Sequence, residues 1–386
     1  MFATPPAWPP VRNPLAEAAP GDFRAMYPVQ ARSEHYALRH PAGMIGEEDR
    51  RAILAARERA LVAAAGFLGS TLDALRIDLF LFSDVETKER LTGVPDPVHS
   101  LARSRELHML VGHARSPNPH EETHLLAYVR FGPCYHTALH EGLPLALERA
   151  AGDRSIAAFA AALVAESLTP SIDMLLDEDG IRELNRVGLG FPASGLLVSW
   201  ILERGGLDVL GRVYGAKPLA AAGLASALGV SREAADEAFA RWLAERAREG
   251  DAEYRFQRAV AEAARLGQAG DWSAAVDQLT AAAALRPGDL DALYRLALAE
   301  EKAGRPKDAE THLRQLLEGA AADPAGAERY VIFGHYQLGR VLERQGKRDE
   351  AHAQYRTVLG LPDRHGSHRM AREALGGEGS PVAPTP

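Results

Sequence analysis

His120 and His124 stand four residues apart and enclose Glu121 in the stretch "NPHEETHLLAY", Asn118 to Tyr128. On a helix, positions i and i+4 project from one face a turn apart, so both imidazoles can grip a single cation. Glu121 sits beside them at an angle from which its carboxylate reaches a water bound to that cation, the logic of the H-E-x-x-H pattern. A catalytic zinc takes three protein ligands and keeps a fourth position open. Glu141, within "HTALHEGLPLALE", supplies the third ligand if a second helix folds back across the first, with His136 and His140 as the alternative third ligands. Two neutral histidines and one carboxylate leave the centre net positive, which keeps the metal acidic. Glu121 would then take the proton of the attacking water and pass it to the leaving amine. The expected chemistry is amide hydrolysis with one zinc per chain.

The elements that must position these residues belong to a chain of 386 residues, longer than one ordinary domain. Apolar residues make up 46% and charged residues 25%, as in globular proteins, and the low aromatic share favours helix. The net charge is -8, and no basic stripe with interleaved aromatics occurs, which argues against nucleic acid and anionic membranes as partners. Cys134 is the single cysteine, so a disulfide within the chain and a thiolate cluster are excluded. A lone cysteine is expected to be a small buried apolar residue. No apolar run approaches the ~20 residues of a membrane span, and the amino terminus lacks a basic start before an apolar core. As it stands the sequence predicts a cytoplasmic protein, and a chain whose signal peptide had been removed would read the same.

Residues 1–33 are proline-rich and aperiodic, which predicts an extended arm. Residues 34–250 read as one α+β domain, mixed over 34–141 and helical over 142–250. "HYALRH", "LRIDLFLFSD" and "RELHMLVGHA" read as strands, and "EEDRRAILAARERALVAAAGFLG" as a long amphipathic helix. "RELHMLVGHA" is expected as an edge strand on which a peptide lays its backbone by strand addition, with His108 and His113 structural. "SPNP" supplies the turn before the helix of His120.

The last third repeats. "GDWSAAVDQLTAAAALRPGD" begins at Gly270 and "GRPKDAETHLRQLLEGAAAD" at Gly304, 34 residues later, with Ala275 and Ala309, and Leu279 and Leu313, in step. A third copy begins at Gly346 and aligns Ala351 and Tyr355 after an insertion. Small residues let paired helices approach, and the larger ones fill a shared core. With Trp272 and Pro287 in the first copy, and Leu338 and Gly339 in the third, residues 254–375 resemble tetratricopeptide repeats. These repeats imply a protein partner or a recruited substrate. Residues 376–386 read as a disordered tail.

"HEETHLLAY" with "LHEGLPLALE" resembles the glutamate-zincin (gluzincin) metallopeptidases, in particular the peptidase MA-like families. "FPASGLLVSWILERGGLDVLGRVYG" extends the likeness, which covers about residues 34–250. The resemblance implies a zincin-like domain that hydrolyses a peptide or protein substrate, with His120, His124 and Glu141 as zinc ligands and Glu121 as base. The G-x-x-H continuation of another zinc protease class is absent, since Ala127 and Arg130 hold those places. Two departures have consequences. Pro144 follows E-G-L, which predicts a second metal helix that starts late or kinks. Phe191 stands where many relatives have tyrosine, which removes a donor to a developing oxyanion; Tyr128, Tyr135, His136 and His140 are the candidate replacements. The alternative to an enzyme is an interaction protein that keeps the zincin fold as a platform.

Overall fold

The computed structural model describes residues 23–151, 154–217, 219–322 and 326–376. The expected arm, up to residue 22, and the expected tail, from residue 377, lie outside the described residues. The chain divides into two compact units that meet at Gly250 and Asp251.

The N-terminal unit opens earlier than the sequence pattern suggests. A 3-10 turn, Phe23–Met26, and strand β1, Val29–Arg32, fall within the stretch expected as an arm. Then come β2 (Tyr36–Arg39), α1 (Glu47–Leu68), β3 (Ile77–Phe82), α2 (Val85–Thr92), β4 (Val98–Leu101), β5 (Glu106–Leu110) and α3 (Val111–Ala114). The five strands form one sheet in the order β1-β2-β3-β5-β4, with β2, β3 and β5 parallel and the two outer strands antiparallel to their neighbours. The unbroken run Leu79 to Phe82 on β3 reflects burial on both faces. Phe80 and Phe82 pack with Phe23 and Tyr27 and β1 pairs with β2, so both contacts order the early segment.

One expectation is corrected here. The strand of "RELHMLVGHA" is interior, because β5 lies between β3 and β4, and its last residues turn into α3. Alternating apolar residues read alike at an edge and inside a mixed sheet, so pattern alone could not place it. The edge on that side is β4.

The helix of the histidines, α4 (His120–Phe131), is held at its start. Asn118 Oδ1 accepts from the His120 backbone N–H at 2.8 Å, and the Thr123 hydroxyl donates to the Pro119 carbonyl at 2.8 Å. Arg57 of α1 lies fully buried and donates to Glu122 of α4 at 3.1 Å. Its other terminal nitrogen donates to the carbonyls of Ser116 and Asn118. Tyr36 on β2 adds a hydroxyl to the same Glu122 oxygen at 3.1 Å. One guanidinium thus ties α1, the "SPNP" turn and α4 together.

The rest of this unit is helical apart from a two-strand hairpin: α5 (Thr137–Glu148), β6 (Ala150–Ala151), β7 (Arg154–Ser155), α6 (Ile156–Ala165), α7 (Ile172–Leu176), α8 (Glu178–Arg186), α9 (Gly190–Tyr214) and α10 (Ala221–Leu228). Helix α5 lies against α9 at a spacing only glycine allows. A Cβ on Gly142 would come within 2.4 Å of the Ser194 carbonyl, and one on Gly195 within 2.9 Å of Leu145 Cβ. Pro144 does not delay α5, which runs unbroken through it. Leu143, Pro144 and Leu145 are all buried, so packing outweighs the one backbone bond that proline removes.

Helix α11 (Arg232–Gln268) carries the boundary between the units, which therefore falls within a helix and not in a linker. The C-terminal unit continues with α12 (Trp272–Leu285), α13 (Leu290–Lys302), α14 (Pro306–Ala320), α15 (Glu328–Arg344), α16 (Arg348–Leu359) and α17 (Ser367–Ala374). Gly270, Gly304 and Gly346 all take positive φ (83°, 76° and 78°), the left-handed turn that reverses the chain between paired helices. Ala275, Ala309 and Ala351 are buried just beyond them, and Gly339 brings α15 against the Tyr355 ring.

Removal of one member of a buried ion pair strands the other, at a cost of roughly 3–5 kcal/mol. Arg57→Ala should therefore lower stability by that order in urea denaturation, and Arg57→Met with Glu122→Met should recover much of it. A second expectation concerns pH. Burial raises the Glu310 pKa, but hydrogen bonds from Lys347 (2.7 Å), Arg314 (2.9 Å) and Gln345 (2.9 Å) outweigh it and bring the pKa to about 2. A depressed folded pKa contributes stability above the unfolded value, near 4.5, that is lost as pH falls towards 2. Calorimetry should show wild type more stable than Glu310→Gln at pH 6, with the gap closing as the pH approaches 2.

Candidate metal centre

His120 opens α4 and His124 follows one turn later, their ring centroids 4.9 Å apart. Glu141 sits one turn into α5, where the contact with α9 fixes its backbone. His120 Nε2 lies 3.5 Å and His124 Nε2 3.8 Å from the same Glu141 oxygen, Oε2. One ligand atom from each residue can be chosen so that all lie within 4.8 Å of one another. Ligand atoms bonded at about 2.0–2.1 Å to one tetrahedral ion sit roughly 3.3 Å apart, so small side-chain adjustments bring these three into a zinc-sized set.

Glu148 is the residue that sequence reasoning missed. At the last position of α5, its Oε1 lies 2.7 Å from His120 Nδ1. A carboxylate there fixes the ring, so that Nε2 faces the cluster. The signal was present: Glu148 follows Glu141 by two helical turns and so shares its face. His124 Nδ1 is buried and has no hydrogen-bond partner among the described residues.

The electrostatics follow from crowding. Burial would raise the Glu141 pKa, but His124, His140 and His120 hold it well below the usual carboxylate range. Burial would lower the His120 pKa, yet the hydrogen bonds to Glu141 and Glu148 lift it well above its ordinary value. Burial pushes His124 down, and His140 pushes it further. Burial also raises the Glu121 carboxyl, against the pull of His120 and a hydrogen bond from the Ser100 hydroxyl on β4. The centre thus presents one firmly ionised carboxylate and a second, next to it, that holds a proton more readily than an exposed one.

The alternative third ligands separate. His136 is committed elsewhere: its Nε2 lies 3.0 Å from the Ala216 carbonyl and 3.2 Å from the Leu219 backbone nitrogen. His140 remains at the centre, stacked on His124 at 4.0 Å with its Nε2 3.9 Å from Glu141 Oε1. Tyr135 is exposed and lies under the Lys217 ammonium. The Cys134 thiol, half-buried, is pushed up to about 12 by burial and bonds the His136 carbonyl, which leaves it unreactive.

On the other face of the sheet, His108 is buried among Phe23, Phe80 and Phe82 and bonds Glu106 at 3.0 Å. Glu106 in turn takes a two-pronged contact from Arg24. Lys88 is buried there too, 2.6 Å from His99 Nδ1, and burial lowers its pKa to about 8. His113 is exposed on α3. The structural role expected for His108 agrees with these contacts.

A family model of the tetratricopeptide repeat matches residues 267–328, from the end of α11 into α15. No curated protein matches the chain. Among the described residues no helix is long and apolar enough to cross a membrane.

Loss of a carboxylate behind a ligating histidine typically weakens metal affinity 10–100-fold. Glu148→Gln should therefore weaken zinc binding by that factor in a chelator competition, with the helical content of the protein unchanged.

Proposed function

We propose that the N-terminal unit is a zinc-dependent peptide hydrolase of the gluzincin type, with His120, His124 and Glu141 as ligands and Glu121 as general base. The observation that carries this reading is the convergence of one ligand atom each from His120, His124 and Glu141 within 4.8 Å, both imidazole Nε2 atoms facing the same Glu141 oxygen, beside the partly buried Glu121. The donor set suits zinc, two nitrogens and one oxygen with room for a fourth partner. When bound, zinc would supply the Lewis acidity that polarises a carbonyl and makes water a stronger acid. Glu121 accepts the proton of the attacking water and returns it to the leaving amine. The Ser100 hydroxyl holds the Glu121 carboxylate in place. Glu148 holds the His120 ring, and the glycine contact of α5 with α9 holds Glu141.

The C-terminal unit is proposed to bind a protein segment, either the substrate or a partner. The repeat match supports this, as does a cavity of about 320 Å³ between α13 and α15. Tyr294, Leu298, Tyr330 and Phe333 give the cavity an apolar lining. Arg295 and Arg329 flank it, both drawn to Asp291. This cavity also favours the second reading, in which partner binding by the repeats is the whole function and the metal centre is a platform.

Metal analysis and hydrolysis separate the two. The purified chain should carry one zinc, lost in Glu141→Ala, and should cleave members of a broad peptide library. Glu121→Gln should keep the zinc and lose at least about 10²-fold in rate, the usual scale for a general base. Wild type that holds zinc yet cleaves nothing would favour the platform.

A further inference from the structure

We infer that His140 is a catalytic residue of this centre, the hydrogen-bond donor to the oxygen that gains charge when an amide carbonyl is attacked. The inference rests on the hydrolase reading above. Attack on an amide carbonyl moves charge onto its oxygen, and a donor placed there in advance contributes about 10²–10³-fold in rate. The ligand His120 cannot be that donor, since one ring nitrogen is committed to Glu148 and the other faces Glu141. His124 is sealed, with Nε2 towards Glu141 and Nδ1 buried. His136 is tied to Ala216 and Leu219. Tyr214, on α9, is only 1% exposed.

His140 differs from all of these. Its side chain is 31% exposed, and neither ring nitrogen makes a hydrogen bond among the described residues. The ring lies nearly parallel to that of His124, 20° between planes and 4.0 Å between centroids, so a ligand's neighbour fixes its orientation. Its Nε2 lies 3.9 Å from Glu141 Oε1, too far for a hydrogen bond but on the side of the cluster. A neutral imidazole carries one N–H and an imidazolium two, so the ring has a proton to donate. The partly exposed ring is thereby held at the edge of the cluster with no hydrogen-bond partner among the described residues, free to donate to a substrate oxygen. Being on α5 next to Glu141, it is as firmly placed as the ligand itself.

The test compares His140→Phe, which keeps a stacking ring and removes the donor, with His140→Gln, which restores an N–H. Zinc content, kcat and KM on a cleaved peptide are measured for each. The affinity of the Co2+-loaded protein for acetohydroxamate, read from its visible spectrum, reports on the donor without turnover. His140→Phe should keep one metal per chain, lower kcat 10²–10³-fold with KM little changed, and bind acetohydroxamate at least about tenfold more weakly; His140→Gln should recover part of both losses. Unchanged kcat and unchanged acetohydroxamate binding in His140→Phe would overturn the inference and leave the hydrolase reading standing. So would loss of zinc from His140→Phe, which would make His140 a support of Glu141. Failure of wild type to take up Zn2+ or Co2+ would overturn the hydrolase reading and the inference with it.

Discussion

The buried contact of Arg57 with Glu122 is the constraint on which the N-terminal unit depends. A guanidinium removed from water must find partners for nearly all its donors, and here they come from three places: the carboxylate on α4 and the carbonyls of Ser116 and Asn118. Those carbonyls belong to the turn that delivers His120, so satisfying one buried charge fixes where the histidine helix begins. Burial raises the Glu122 carboxyl to about 7, against the pull of Arg57 and the Tyr36 hydroxyl. The pair therefore acts less as a source of stability than as a device that admits one arrangement of α1, β2 and α4.

A second constraint comes from α5 and α9. Gly142 and Gly195 let the two backbones approach until no side chain could fit between them, and that approach carries Pro144 through the helix. Rigidity there matters because Glu141, His140 and Glu148 share this helix. The proposed ligand Glu141, its neighbour His140 and the carboxylate that contacts His120 are all placed by one packing event. Glu148 and Arg57 thus play parallel parts, each holding one end of the centre from outside it.

The repeat unit is built on a different principle. Its helices bury small residues at equivalent places, Ala275, Ala309 and Ala351, and turn at equivalent glycines. Each pair relies on its neighbours for a core, so the array can vary its exposed faces without disturbing the packing. That freedom is what leaves aromatic rings and arginines around the cavity between α13 and α15.

The sequence by itself determined the periodic features. The spacing of His120 and His124, the helices from Glu47 onward and the repeats from Gly270 were legible, because helical periodicity and turn glycines are local properties. Tertiary structure decided the rest. Only packing could place β5 inside the sheet, order Phe23 to Arg32 against Phe80, Phe82 and β2, and carry α5 through Pro144. Only packing, too, could assign His136 to a loop and His140 to the centre, although the two are one helical turn apart. The physical reason is common to all these cases. A side chain's chemistry is written in the sequence, but which of its polar atoms stay uncommitted depends on partners distant along the chain.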